Sequence, residues 1–391
     1  MKQKNIYMDN AAATRTDPEV VKAMKPFFTD TYAVASSQFS HTPGIMAKEG
    51  LDKSREIIAA KLGASSDEII FTSGGTESNN LAVKGVALAH RGKKNHLICS
   101  RIEHNSVLQS CQWLEKEGYK LTLLDVDSDG FVDTDQLKKS ITPDTFLVSI
   151  QTANQEVGTL QPIEEIGKIC KEHDILFHTD ASLSFTHLNL DVRKIQADLV
   201  TMSAHKIHGP KGVGALYVRQ GTQIQKLQHG GYNEFDLRAG TENVAGIVGF
   251  GKAVELNHND QTTFITGLQR KLLNGLKEQI EDLNVNGPDD LSKRLPGNVN
   301  VSFNMVEGES VVLHLDMKNI SVITGSACFS RSLEPSYVMM SMGFSHERAH
   351  GSIRFSLSRY NTADEIGSVI EACKEVVDAL RKISPLSNKE M

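Results

Sequence analysis

The sequence predicts an α/β protein: a largely parallel sheet with helices on both faces, and a smaller α+β domain beside it. Three observations predict it. Between Glu68 and Val218, short apolar runs alternate with helical patterns, as parallel strands joined by crossover helices require. The run Ala197-Asp198-Leu199-Val200-Thr201-Met202 is apolar enough to be a strand buried on both faces. Beyond about Asn243 the alternation fades into one long helical pattern and isolated strands.

Taken in order, Asp9-Asn10-Ala11-Ala12-Ala13-Thr14 is a loop of small residues after a short strand. Asp17-Pro18 starts a helix, with Asp as the cap and Pro at the first helical position. After the polar loop at 36–41, a second helix is expected from about Ile45 to Leu62. Strands then read at 68–72, 96–100, 121–124, 145–150, 175–178 and 215–218. The turn Ser73-Gly74-Gly75-Thr76-Glu77-Ser78 leads into a helix expected near Asn79, and Glu103-His104 opens another. In the later half, a helical pattern runs through 268–273, a polar turn falls at 286–290, and strands read at 298–303 and 352–357. A final helix covers Ala363 to Ile383.

Composition narrows the function classes. The 391 residues are 39% hydrophobic and 23% charged, ordinary for a globular chain long enough for two or three domains. A net charge of −6 without a basic run argues against nucleic acid and against a membrane surface. The first residues lack a signal peptide's apolar stretch, and no apolar segment is long enough to span a bilayer. The five cysteines form no CxxC pair, so neither a disulfide frame nor a zinc ribbon is suggested. The expectation is a cytoplasmic protein with reduced thiols.

Chemistry gathers at strand ends, where open α/β sheets bind ligands. Lys206 lies between a buried strand and the tight Gly209-Pro210-Lys211-Gly212 turn, where its amine can lose hydration and serve as a Schiff-base lysine. Asp180 follows another strand at the same rim, and its anion suits a protonated pyridine nitrogen, although a helix cap is an equal reading of it alone. Ser73-Gly74-Gly75-Thr76 can bring backbone N–H groups to a phosphate. His104, at a strand-to-helix junction, could stack on a planar group and shuttle protons. Cys328 stands among small and polar residues near Arg331, where a thiol can ionise. Cys99 and Cys373 instead lie in apolar patterns, and Cys170-Lys171-Glu172-His173 offers too few ligands to close a zinc shell.

Ser73-Gly74-Gly75-Thr76-Glu77-Ser78-Asn79-Asn80, Glu103-His104, Ser203-Ala204-His205-Lys206, Leu237-Arg238-Ala239-Gly240-Thr241-Glu242-Asn243, Gly325-Ser326-Ala327-Cys328 and Ser352-Ile353-Arg354-Phe355 together carry a resemblance. The chain resembles, nearly end to end, the cysteine desulfurases of the NifS/IscS type, class V members of the fold-type-I pyridoxal phosphate (PLP) enzymes. The resemblance implies a mostly parallel sheet of the seven-stranded type. It also implies a large PLP-binding domain over residues 15–255 and a small domain of 1–14 and 256–391 that carries the catalytic cysteine loop. Lys206 would carry PLP and move protons, Asp180 would pair with the pyridinium, and His104 would stack on the ring. Gly75, Thr76, Ser203 and His205 would hold the phosphate, with Thr241 reaching in from the partner of a homodimer. Arg354 would bind the carboxylate of L-cysteine, with Asn154 and Gln155 helping to place it. Cys328 would take the sulfur as a persulfide, releasing alanine, and pass it to an acceptor such as an iron–sulfur scaffold, or stand as a transient ligand of the cluster. No resident metal is implied.

Three departures from the family pattern stand out: Leu183 where Gln is usual, Gln155 where a second Asn is usual, and no Gly-Asn-Pro near Val34-Ala35-Ser36. They bear on cofactor tuning and substrate geometry. Two other readings stay open: a related lyase acting on selenocysteine or cystine, and a weakly active sulfur-relay or scaffold subunit.

Overall fold

The computed structural model describes residues 5–325 and 335–384. Its strands are β1 (Ile6–Tyr7), β2 (Ile69–Thr72), β3 (His96–Ser100), β4 (Lys120–Leu124), β5 (Thr145–Ser149), β6 (Leu176–Asp180), β7 (Leu199–Ser203), β8 (Gly214–Val218), β9 (Leu283–Val285), β10 (Asn298–Phe303), β11 (Ile320–Ser321), β12 (Ile323–Thr324) and β13 (Ser352–Ser356). Seven of them form the main sheet in the order β2-β8-β7-β6-β5-β3-β4. Strands β3 to β7 run parallel, and β8 is antiparallel to both β7 and β2. Because β7 and β8 are sheet neighbours of opposite sense, the Lys206 stretch is a short return at the sheet's rim rather than a crossover.

Every residue of β3, β5, β7 and β8 is buried, as helices on both faces demand. A four-stranded sheet, β12-β13-β10-β9, is built from the later part of the chain, and the two-stranded β1-β11 ties the N-terminus to it through β11. Their apolar cluster gathers Val299, Val301, Phe303, Ile353 and Phe355 against the long helices Asn259–Gln279 and Ala363–Ile383.

Local differences from expectation have local causes. The helix after β2 starts at Gly75, not near Asn79. Gly74 takes φ 150°, a conformation closed to side-chain-bearing residues, so the chain turns into the helix at once. The second helix starts at Thr42, because Pro43 suits a first turn and His41 Nδ1 accepts from Gly44 N at 3.1 Å. Within the loop expected at 36–41, most of the stretch belongs to a 3₁₀ turn over Ala35–Phe39. Among the described residues no helix is long and apolar enough to cross a membrane.

Candidate active site

The carboxyl ends of β6 and β7 open into a cleft of about 540 Å³. Strand β6 ends on Asp180, and β7 continues into a single 3₁₀ turn, Ala204–Lys206. Lys206 Nζ donates to the carbonyls of Ala11 and Ala12, the latter at 2.8 Å, so the small-residue loop at 9–14 floors the lysine. Asp180 is held from two sides. Ser182 N donates to its Oδ1 at 2.9 Å, and Asn79 Nδ2 donates to its Oδ2 at 2.7 Å. Asn79 Nδ2 also meets Ser106 Oγ at 2.7 Å, and that hydroxyl is 2.8 Å from His104 Nδ1. Burial, more than the Lys206 charge, lowers the His104 pKa, with Asp180 opposing. The ring is therefore neutral near pH 7 and fixed at one nitrogen.

The glycine turn forms another wall. Glu77 accepts from Ser73 N at 2.7 Å and from Arg238 Nε at 2.9 Å, which stiffens the turn. A Cβ on Gly75 would lie 2.9 Å from Ser182 Oγ, so only glycine lets the backbone come this close. Ser182 Oγ, Ser203 Oγ and His205 Nδ1 are buried and have no hydrogen-bond partner among the described residues, and all three residues line the cleft. Burial, then the charges of Lys206 and Lys211, push His205 down to about 4, so it too is neutral. Unsatisfied buried hydroxyls are costly unless a ligand completes them. Two hydroxyls, an imidazole and the backbone of Gly75 and Thr76 match a phosphate, while Lys206 and Asp180 match an aldehyde and a pyridine nitrogen. These residues fit pyridoxal phosphate.

Lys206, Asp180, His104, Gly75, Thr76, Ser203, His205 and Gln155 are thus brought together. Asn154 is not. It is fully buried, its Nδ2 donates to Ile102 O at 3.1 Å, and its Oδ1 accepts from the N–H groups of Glu156 and Val157, both at 2.9 Å. Arg354, on β13, lies beside the cleft. Its Nη2 meets Asp9 Oδ1 at 2.7 Å, its Nη1 meets Gln155 O at 3.0 Å, and its Nε is buried without a partner among the described residues. Thr241 is exposed and does not line this chain's cleft. Cys328 lies outside the described residues; Cys99, Cys111, Cys170 and Cys373 are all buried. Sequence reasoning overlooked Ser182, which its place two residues after Asp180 could have flagged. It also overlooked Tyr337, whose hydroxyl lies 3.1 Å from Gln155 Nε2 and which carries no local signal.

The sequence pattern of the family described as Aminotransferase class-V matches residues 6–369. A cysteine desulfurase IscS of Clostridium botulinum (strain Hall) is 48% identical over 386 residues, covering 98% of this chain and 97% of that one. A cysteine desulfurase IscS of Methanosarcina thermophila is 47% identical over 390 residues, covering 99% and 95%. Among solved structures, a NifS-like protein superposes with a TM-score of 0.90 at 36% identity, covering 96% of this chain and all of the other. A structure titled SspA in complex with cysteine gives 0.82 at 38% identity, covering 91% of this chain and all of the other.

Proposed function

The chain belongs to the class-V aminotransferase family, among its cysteine desulfurases, and from that premise we propose that the cleft takes L-cysteine and delivers its sulfur to Cys328. The protein is a PLP-dependent L-cysteine desulfurase that supplies sulfur for iron–sulfur cluster assembly. One observation carries the assignment of the site: Lys206 and Asp180 share a cleft with Ser182 Oγ, Ser203 Oγ and His205 Nδ1, three buried polar atoms with no partner among the described residues.

When bound, the cofactor supplies an electron sink for bonds broken at the substrate Cα. Ser203, His205, Ser182 and the backbone of Gly75 and Thr76 would hold its phosphate, Asp180 its ring nitrogen, and His104 one face of the ring. Lys206 would hold its aldehyde carbon and would carry the proton at the substrate Cα. Arg354, aimed by Asp9 and by the Gln155 carbonyl, would take the substrate carboxylate. The Cys328 thiolate would then attack the substrate sulfur. An S–S bond forms as the substrate's Cβ–S bond breaks, Cβ gains a proton, and alanine leaves a persulfide on the enzyme. The burial of the four described cysteines supports Cys328 as the acceptor.

Several finer points belong to the same proposal. Exposed Thr241 reaches the phosphate of a second copy, making the enzyme a homodimer. Residues 15–255 form the cofactor domain, and residues 1–14 with 256–391 form the smaller one. The persulfide passes, in the cytoplasm, to a scaffold or a thiolation acceptor.

The test is incubation of purified holoenzyme with L-cysteine and a thiol reductant. Alanine and sulfide should appear in equal amounts, and faster than selenium or sulfur release from selenocysteine or cystine. Borohydride reduction and peptide mapping should place the pyridoxyl group on Lys206. Label elsewhere, or persulfide accumulating at the wild-type rate in Cys328→Ser, would overturn the assignment.

A further inference from the structure

We infer that Glu156 is a positioning residue: its carboxylate joins the two ends of the segment that carries Cys328 and, together with Gln155, sets those ends against Arg354. The inference rests on the roles proposed above for Cys328 and Arg354.

The segment is entered from β12 through Gly325 and left through Ser336 into the helix Tyr337–Ser341. Both ends converge on one atom. Ser336 Oγ donates to Glu156 Oε2. A Cβ on Gly325 would lie 2.7 Å from that same oxygen and 3.5 Å from Ser336 Cβ. Glycine at 325 is what lets the entering strand approach the carboxylate, and Ser336 ties the departing helix to it. Ser336 Oγ also accepts from Met339 N at 3.3 Å, so the same hydroxyl caps the helix.

Glu156 is itself held firmly. Its carbonyl accepts from Asn298 Nδ2 at 2.9 Å and Asn300 Nδ2 at 3.2 Å, both on β10. Its N–H donates to the oxygen of buried Asn154. Burial lifts its carboxyl to about 7, while the Ser336 hydrogen bond and the Arg354 charge pull the other way. A buried acid of this kind is costly to keep, and its bonds run to chain segments rather than to solvent.

Arg354 is drawn into the same arrangement. In the small sheet it lies between Asn300 of β10 and Ile323 of β12, so the strand leading to Cys328 is the arginine's direct neighbour. Gln155 accepts from Arg354 Nη1 through its carbonyl, and its Nε2 donates to the hydroxyl of Tyr337, the first residue of the departing helix. Tyr337 in turn donates to Glu103 O at 2.6 Å. The dipeptide Gln155-Glu156 therefore touches both ends of the segment and the group that would hold the substrate. A nucleophile misplaced by about 1 Å can lose about 10²-fold in rate.

The test compares wild type, Glu156→Ala, Glu156→Gln and Ser336→Ala as PLP-loaded holoenzymes. Two readouts are needed: kcat and KM for L-cysteine with single-turnover persulfide on Cys328, and amide hydrogen exchange over residues 336–341. Glu156→Ala should lower kcat and the persulfide rate by about 10²-fold with KM changed less than about threefold, and should speed exchange at 336–341. Glu156→Gln, which still offers Ser336 an acceptor, should recover most of both. If Glu156→Ala loses its visible PLP band or its thermal midpoint, Ser336→Ala, which deletes a single hydroxyl, carries the test. Wild-type persulfide rates and exchange in Glu156→Ala or Ser336→Ala would overturn the inference, as would a rise in KM matching the fall in kcat. Should wild type form no persulfide on Cys328, the proposed function fails instead, and unchanged exchange at 336–341 would separately refute the clamp.

Discussion

The two larger sheets treat their polar side chains in opposite ways. At the ends of β6 and β7, Ser182 Oγ, Ser203 Oγ and His205 Nδ1 are buried and unpartnered among the described residues. In the four-stranded sheet, buried polar groups are largely satisfied by one another. Asn286 Nδ2 donates to Asn300 Oδ1 and Ser302 Oγ, both at 2.8 Å, and Asn286 Oδ1 accepts from Arg348 Nε at 2.9 Å. Buried Arg294 donates to Pro288 O, Asn286 O and Asn298 Oδ1. Arg354 is the exception there, with Nε unpartnered among the described residues, and it is the residue proposed to meet substrate. One sheet is left incomplete for a ligand, whereas the other is finished so that it can hold a position. At the cleft, unpartnered polar atoms face the space a ligand would fill, and in the small sheet satisfied ones keep geometry.

The contrast can be broken by experiment. Its largest consequence is at Lys206. Lys206→Ala should abolish the visible PLP band and lower kcat by at least about 10³-fold without unfolding the protein, as circular dichroism and a coupled alanine assay would report. A colourless but active variant would move the chemistry elsewhere. Next comes a paired comparison. Asn286→Ala should cost about 1–3 kcal/mol in denaturant unfolding, because it strands buried partners, and should leave PLP affinity unchanged. Ser203→Ala should do the reverse, weakening PLP binding roughly tenfold or more while leaving the cofactor-free protein as stable as wild type. Equal thermal losses in both variants would show that the cleft hydroxyls are structural after all.

The smallest effect sharpens the comparison inside the cleft. Leu183 lines it beside Lys206 and cannot donate a hydrogen bond. The resemblance to the NifS/IscS type implies that residue 183 faces the phenolic oxygen of PLP, so the donor in Leu183→Gln would favour that oxygen's ionised form and help the neighbouring nitrogen keep its proton. The pH midpoint of the visible absorbance should rise by about 1–2 units, the worth of a hydrogen bond to a charged group. An unchanged midpoint with PLP fully bound in both proteins would remove Leu183 from cofactor tuning.

What was legible in the sequence was local. The Asp17-Pro18 start, the strand-end positions of Asp180 and Lys206, and the final helix from Ala363 to Ile383 each rest on residues a few places apart. The antiparallel sense of β8 was not legible, because an apolar run looks the same in either direction. Glu156 was hidden for another reason: its carboxyl partner Ser336 is 180 residues away, and nothing nearby signals that a glutamate in a polar turn is buried. Asn154 attracted attention through its motif, yet its amide is consumed by backbone groups of its own turn and by Ile102.

The position of β8 also has a consequence for the order in which the protein assembles. Strand β2, which leads into the glycine turn, pairs among the described residues only with β8, Phe71 opposite Ala215. The two turns are pressed together closely enough that a Cβ on Gly214 would sit 2.7 Å from Gly74 Cα. On a ribosome adding about 5–20 residues per second, roughly 7–30 s separate the synthesis of those partners. Throughout that interval β2 is an apolar strand without its neighbour, and the glycine turn lacks the backbone that braces it. The nascent chain therefore completes its cofactor pocket late, and translational pauses before Gly214 lengthen the time that β2 stays without its neighbour.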